Sequence, residues 1–123
     1  MVSRLPWPHV AGGTGTVTLR RYRGGGELQP IMALVASELS EPYSIFTFRH
    51  FLEGAPDLCF VAYDGERLVG VMINKAEFRV RNGRMRGYVA MLAVESEYRG
   101  RGLGSRLAAT GLQALCAKCD EVC

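Results

Sequence analysis

Two rhythms of apolar and polar positions run along this chain of 123 residues. Thr16-Val17-Thr18-Leu19-Arg20-Arg21-Tyr22 steps in twos, the period of a half-buried strand, and Gly24-Gly25-Gly26 then breaks it. From Leu28 to Leu39 the rhythm changes, with Ile31, Leu34, Val35 and Leu39 at helical spacing and Pro30 tolerable in the first turn. Pro42 stops that helix, and 40–44 form the corner before a second one, which presents Phe46, Phe48, Phe51 and Leu52 until Gly54-Ala55-Pro56. Strand patterns return at 58–63 and 68–73, joined by Asp64-Gly65, and again on both sides of Asn82-Gly83. The seven uncharged residues Tyr88 to Val94 suit a central strand buried on both faces. Leu103, Leu107, Gly111 and Leu115 recur every four residues and predict a helix from about Gly102 to Lys118, and 120–123 begin a further strand.

This order predicts an α/β (α+β) domain over 16–123, a mixed and mostly antiparallel sheet flanked by helices, with no repeat and no second domain. Residues 1–15 hold three glycines, two prolines and no periodicity, and read as a flexible leader.

The junction between the apolar strand and the last helix carries the candidate chemistry. Glu97-Tyr98-Arg99-Gly100-Arg101-Gly102-Leu103-Gly104-Ser105-Arg106 mixes glycines with arginines at a helix start. First-turn amides lack intrahelical acceptors and carry partial positive charge, so an anion there is both hydrogen-bonded and electrostatically favoured. Glycine removes the Cβ that would keep the anion from the backbone, and Arg99, Arg101 and Arg106 add full charges. The three-residue pattern Gly-x-Gly alone fits a relaxed turn beside a solvated basic face equally well.

Charge sharpens the picture. The formal net charge is only +3, and arginines are densest from Arg79 to Arg106, which favours a local anionic ligand over direct nucleic-acid binding. No apolar run approaches the roughly 20 residues of a membrane span, and the first fifteen lack the apolar core of a signal peptide, so a soluble intracellular protein with no membrane partner is expected. Cys116, Cys119 and Cys123 form Cys-x-x-Cys-x-x-x-Cys without a nearby fourth ligand, His9 and His50 being remote in sequence, so no metal is expected.

Arg99-x-x-Gly102-x-Gly104 after an apolar strand resembles the acetyl-CoA pyrophosphate loop of the GNAT acyltransferases. A Walker loop would place a lysine after Gly104, where Ser105 stands, and a Rossmann fingerprint a third glycine, where Leu107 stands. The resemblance implies acetyl-CoA as cosubstrate, bound by Arg99, Gly100, Arg101, Gly102, Leu103, Gly104 and Ser105, with the pantetheine arm pairing to backbone of Met91, Leu92, Ala93 and Val94. It also implies that the chain covers the N-terminal two thirds of the GNAT domain and lacks its C-terminal strands.

Within that group, Leu39-Ser40-Glu41-Pro42-Tyr43-Ser44-Ile45-Phe46, Arg86-Gly87-Tyr88-Val89-Ala90-Met91-Leu92-Ala93-Val94 and Cys119-Asp120-Glu121-Val122 resemble the catalytic subunit of NatC N-terminal acetyltransferases over about residues 17–123. The resemblance implies acetyl transfer to the α-amine of nascent proteins that begin with methionine and a bulky apolar residue. Leu39, Glu41, Pro42 and Tyr43 would line the peptide-terminus pocket, with Tyr88 facing the peptide and reaction water in a supporting catalytic role. It implies a large auxiliary subunit, a small Sm-like one, nearby ribosomes and a cytoplasmic location. The general base and acid of such enzymes would lie beyond Cys123, so this chain is expected to be a truncated form with little activity. Two other readings stay open: a GNAT enzyme acting on lysine or a small amine, and a non-catalytic CoA-binding or interaction fragment.

Overall fold

The computed structural model describes residues 2–7, 10–39 and 43–122. Among them six strands form one sheet in sequential order: β1 (Val2–Trp7), β2 (Gly15–Arg21), β3 (Phe60–Asp64), β4 (Arg67–Arg79), β5 (Arg84–Val94) and β6 (Glu121–Val122). Neighbours pair antiparallel as far as β5, and β6 joins it in parallel, which makes the sheet mixed. Helices α1 (Leu28–Glu38) and α2 (Ile45–Gly54) cover one face, and α3 (Leu103–Lys118) covers the other.

The first face buries Ile31, Leu34 and Val35 of α1 and Phe48 and Leu52 of α2 against Val61, Val71, Ile73, Met91 and Ala93. Ser44 caps α2, its hydroxyl accepting from the Thr47 amide at 3.3 Å. On the second face, Leu103, Leu107, Gly111 and Leu115 are all buried, as their four-residue recurrence predicts. The helix sits close to the sheet at Gly111, where a Cβ would stand 2.2 Å from Met72 Sδ and 2.8 Å from Asn74 Nδ2.

The described residues among 1–15 are not a featureless leader. Val2–Trp7 forms the edge strand β1, in register with β2 from Val2↔Arg20 to Trp7↔Gly15. Trp7 is 5% exposed and stacks on Tyr98 with ring centroids 6.4 Å apart. Pro6 is compatible with a strand because β1 is an edge, where one row of amides needs no partner. The glycines mark only the turn that follows: Gly13 N donates to Val10 O at 2.9 Å, and Gly12 has φ +77°.

Strand β4 also runs further than its apolar stretch, through Asn74-Lys75-Ala76-Glu77 to Arg79. These residues have weak strand propensity, and pairing with β5 along the whole length holds them. Beside the Asp64-Gly65 turn, the Asp64 carboxylate has a second task. It accepts from the Thr14 amide at 2.7 Å, the Thr14 hydroxyl at 2.6 Å and the buried Tyr98 hydroxyl at 2.5 Å, tying β1–β2, β3 and the segment after β5 together.

Candidate functional site

Strand β5 ends at Val94, a short 3-10 turn spans Ser96–Tyr98, and Gly100 and Gly102 then adopt φ +80° and +84°. These are left-handed conformations that a side chain disfavours, and they turn the chain sharply into α3. Gly102 is the N-cap, and no side chain caps the helix. The first intrahelical bond runs from Arg106 N to Gly102 O at 2.9 Å, which leaves the amides of Leu103, Gly104 and Ser105 without an intrahelical acceptor. They open on a cleft of about 430 Å³.

The cleft brings together most of the residues singled out for a cosubstrate: Leu92, Ala93 and Val94 on one wall, Arg99, Gly100 and Gly102 through Ser105 on another. Met91 is 4% exposed and packs under α1 and α2 rather than lining the cleft, and Arg101 is exposed outside its walls. A Cβ on Gly104 would lie 3.7 Å from Val94 Cγ2, an ordinary contact, so the glycine is required there by neither sterics nor backbone conformation.

The cleft also contains a carboxylate that the sequence pattern did not flag. Arg99 Nη2 donates to Glu38 Oε1 at 2.6 Å and Arg99 Nε donates to the Val94 carbonyl at 3.1 Å, so this guanidinium braces the loop against β5 and α1. Glu38 ends α1, where the helix dipole disfavours an acid, and that mismatch was the available signal that it has a cationic partner.

On the open side of β5, β6 covers only Arg86 and Gly87, so 88–94 has no strand neighbour there among the described residues. Val89 and Leu92 are each 37% exposed. The ladder to β4 is broken between Ile73 and Asn74, whose partners Met91 and Val89 leave Ala90 as an extra residue. This bulge turns both Ala90 and Met91 toward α1 and α2.

Of the residues expected on the acceptor side, Leu39 lines the cleft and Tyr43 packs edge-on against Phe48 at 6.2 Å. Glu41 and Pro42 lie outside the described residues, as do His9 and Cys123. Tyr88 is half-buried, four positions before Leu92 and so about 13 Å from it along the strand. Lys75, its partner across the ladder, places its ammonium 6.0 Å from the Tyr88 ring centre, 5.6 Å from that of Phe51 and 3.4 Å from His50 Nε2. Among the described residues no group hydrogen-bonds the Tyr88 hydroxyl, and no cluster of three His, Cys, Asp or Glu side chains could hold a metal. No helix among them is long and apolar enough to cross a membrane.

An uncapped helix start thus lines a cleft beside a sheet edge that has no strand neighbour among the described residues. Residues 28–122 match the model of the acetyltransferase (GNAT) family, and the chain belongs to that family. More particularly, it is 44% identical over 117 residues to N-alpha-acetyltransferase 30 of Xenopus laevis, covering 93% of this chain and 42% of that protein. It is 42% identical over 109 residues to N-alpha-acetyltransferase MAK3 of Arabidopsis thaliana, covering 88% and 56%. The chain thus spans about half the length of these curated relatives. A crystal structure of the NatC complex bound to Gag peptide and CoA contains a chain that superposes with a TM-score of 0.79 at 33% identity, covering 86% of this chain and 71% of that one.

Proposed function

We propose that the protein transfers acetyl from acetyl-CoA to the α-amine of protein N-termini, with methionine followed by a bulky apolar residue as the preferred acceptor. The observation that carries this reading is the set of uncapped first-turn amides at Leu103, Gly104 and Ser105, opening on a cleft whose other wall is the Leu92–Val94 end of β5. Relatives named N-alpha-acetyltransferase 30 support the acceptor class, and the NatC complex supports auxiliary subunits as partners.

The residues fit an acyl thioester of coenzyme A. The amides of 103–105 and the glycine backbone would hold the diphosphate, Arg99 would fix the loop, and the edge of 91–94 that faces away from β4, apart from the Val94 carbonyl bonded by Arg99, would receive the extended arm. When bound, acetyl-CoA supplies an activated acetyl group; the amine nitrogen forms a bond to the carbonyl carbon as the carbon–sulfur bond breaks. An α-amine has a pKa near 8, so at pH 7 roughly nine in ten carry a proton that must leave first. Tyr88, half-buried on β5, would face the peptide in a supporting role.

The test is calorimetric titration with CoA, followed by an acetylation assay with a Met-Leu peptide and a lysine-bearing peptide blocked at its N-terminus. Saturable CoA binding and labelling confined to the α-amine are expected. A folded chain that ignores CoA at large excess would end this reading.

A further inference from the structure

The distal half of the β4–β5 ribbon is chemically unlike the rest of the molecule. Residues 75–86 contain Lys75, Arg79, Arg81, Arg84 and Arg86 against a single acid, Glu77, and so carry a net +4, more than the +3 of the entire chain. Beyond Met72 this part of β4 has no β3 partner, so β4 and β5 continue as a projecting ribbon flanked only at Arg86 and Gly87 by β6.

The strand pleat sorts these charges by face. Asn74 and Ala76 lie on the α3 side, Asn74 against Gly111 and Ala76 in the Leu115–Cys119 cluster, and a Cβ on Gly87 would strike Leu115. Alternation therefore puts Lys75, Glu77 and Arg79 of β4, with Tyr88, Arg86 and Arg84 of β5, on the opposite, α2-side face. The contacts of Lys75 with Phe51 and His50 of α2 fix that assignment. The ladder pairs Lys75↔Tyr88, Glu77↔Arg86 and Arg79↔Arg84, so a row of cations interrupted by one carboxylate leads from Tyr88 to the hairpin tip. The two other acids near the tip, Asp120 and Glu121, are engaged at the β6 edge, by the Met85 amide at 2.8 Å and Asn82 Nδ2 at 3.0 Å.

We propose that this face is a subsite for the acceptor polypeptide downstream of its reacting N-terminus, and that it selects acceptors with acidic residues after the second position. The inference rests on the acceptor reading above, and names a feature of the acceptor that the reading leaves open. An extended chain leaving Tyr88 toward the tip advances about 3.3 Å per residue, so the roughly 13 Å from Lys75 to Arg79 corresponds to about four acceptor residues. Lys75, held over two rings, and the Arg79/Arg84 pair at the end of the row would each meet a carboxylate along that path.

The experiment titrates the CoA-loaded chain with three peptides of sequence Met-Leu-Gly-X-Gly-X-Gly, where X is Glu, Gln or Lys, at low and high salt. The Glu peptide is expected to bind about fivefold more tightly than the Gln peptide, and the Lys peptide more weakly than either, with the gap closing as salt rises. In the double variant Arg79→Glu, Arg84→Glu the order of Glu and Lys peptides should invert while CoA affinity and the Gln peptide are unchanged. Equal affinities for the three, or an order that survives charge reversal, overturns the inference alone. An N-acetylated Glu peptide that binds as tightly as the free one also overturns it, since it marks a polyanion surface unconnected with the acceptor site. If no peptide binds a chain that does bind CoA, the acceptor reading itself fails and takes this inference with it.

Discussion

Glu38 and Arg99 are 61 positions apart in sequence, yet their carboxylate and guanidinium meet at 2.6 Å across the mouth of the cleft. The pair joins the end of α1 to the loop that follows β5, and it sets a negative charge beside amides suited to an anion. Arg99 is more than half exposed, so solvent screens the pair and its contribution to stability is small, at most about 1 kcal/mol.

Glu38→Gln should therefore separate stability from ligand affinity. The melting temperature is expected to fall only slightly, and CoA to bind roughly twofold to fivefold more tightly as a repelling charge leaves and the guanidinium is released. Weaker CoA binding in this variant would show that the bracing of Arg99 matters more than its charge.

The glycines of the loop differ in what they do, and alanine scanning should expose it. Gly102→Ala forces a side chain into φ +84° and should cost about 1–2 kcal/mol. Gly104→Ala adds a helix-favouring residue whose methyl meets Val94 at ordinary contact distance and should stabilise by up to about 1 kcal/mol. Gly111→Ala drives a methyl into the buried Met72 and Asn74 and should cost about 1–3 kcal/mol despite the same gain in propensity. Urea unfolding of the three variants checks the order; equal effects would mean that α3 sits less closely on the sheet than described.

Trp7→Ala tests whether the N-terminal segment belongs to the fold. Removing a ring that is 5% exposed and stacked on Tyr98 should cost about 3 kcal/mol. A loss under about half a kcal/mol would mean that 2–7 does not pack as an edge strand in solution.

Stability should form a plateau in pH bounded on both sides by buried networks. Burial alone would raise the Asp64 carboxyl, but bonds from Thr14 and Tyr98 more than offset it and hold it below its ordinary 3.8. Glu27 likewise overcomes burial through Arg20, Tyr63 and the Arg23 amide and lies below its ordinary 4.5. A carboxylate depressed in the folded state stabilises fully above its unfolded pKa, and that stability is lost as pH falls through the folded value. Tyr63 and Tyr98 are pushed up to about 12, first by burial and then by bonding to Glu27 and Asp64 respectively, so their contribution is complete below 10 and lost between 10 and 12. Thermal melts across pH should show both shoulders, with Tyr98→Phe flattening the alkaline one and Asp64→Asn the acid one. An unchanged profile in both variants contradicts this account.

Local pattern alone was enough to place most elements. The three helices and strands β2 to β5 were legible because each carries an apolar rhythm or a glycine-marked turn within its own residues, and the glycine-rich start of α3 was legible because Arg99, Gly102 and Gly104 are contiguous with that helix. Glu38 was not, since its meaning depends on an arginine 61 positions away. Lys75 was not, because the rings and imidazole around it come from α2 and β5.

The amino-acid order by itself determined where the chain turns, which stretches are helical and where a helix starts on glycine, because those follow from propensity, periodicity and glycine over a few residues. It did not determine which way the uncharged run 88–94 faces. With seven apolar residues in a row the period of two is invisible, and only the bulge at Ala90, set by pairing with Ile73 and Asn74, turns Met91 inward and leaves Leu92 on the cleft wall. The edge strand β1 was decided in the same way, by a tryptophan whose burial site is assembled from β2, β3 and the segment after β5, and exists only once they have folded together.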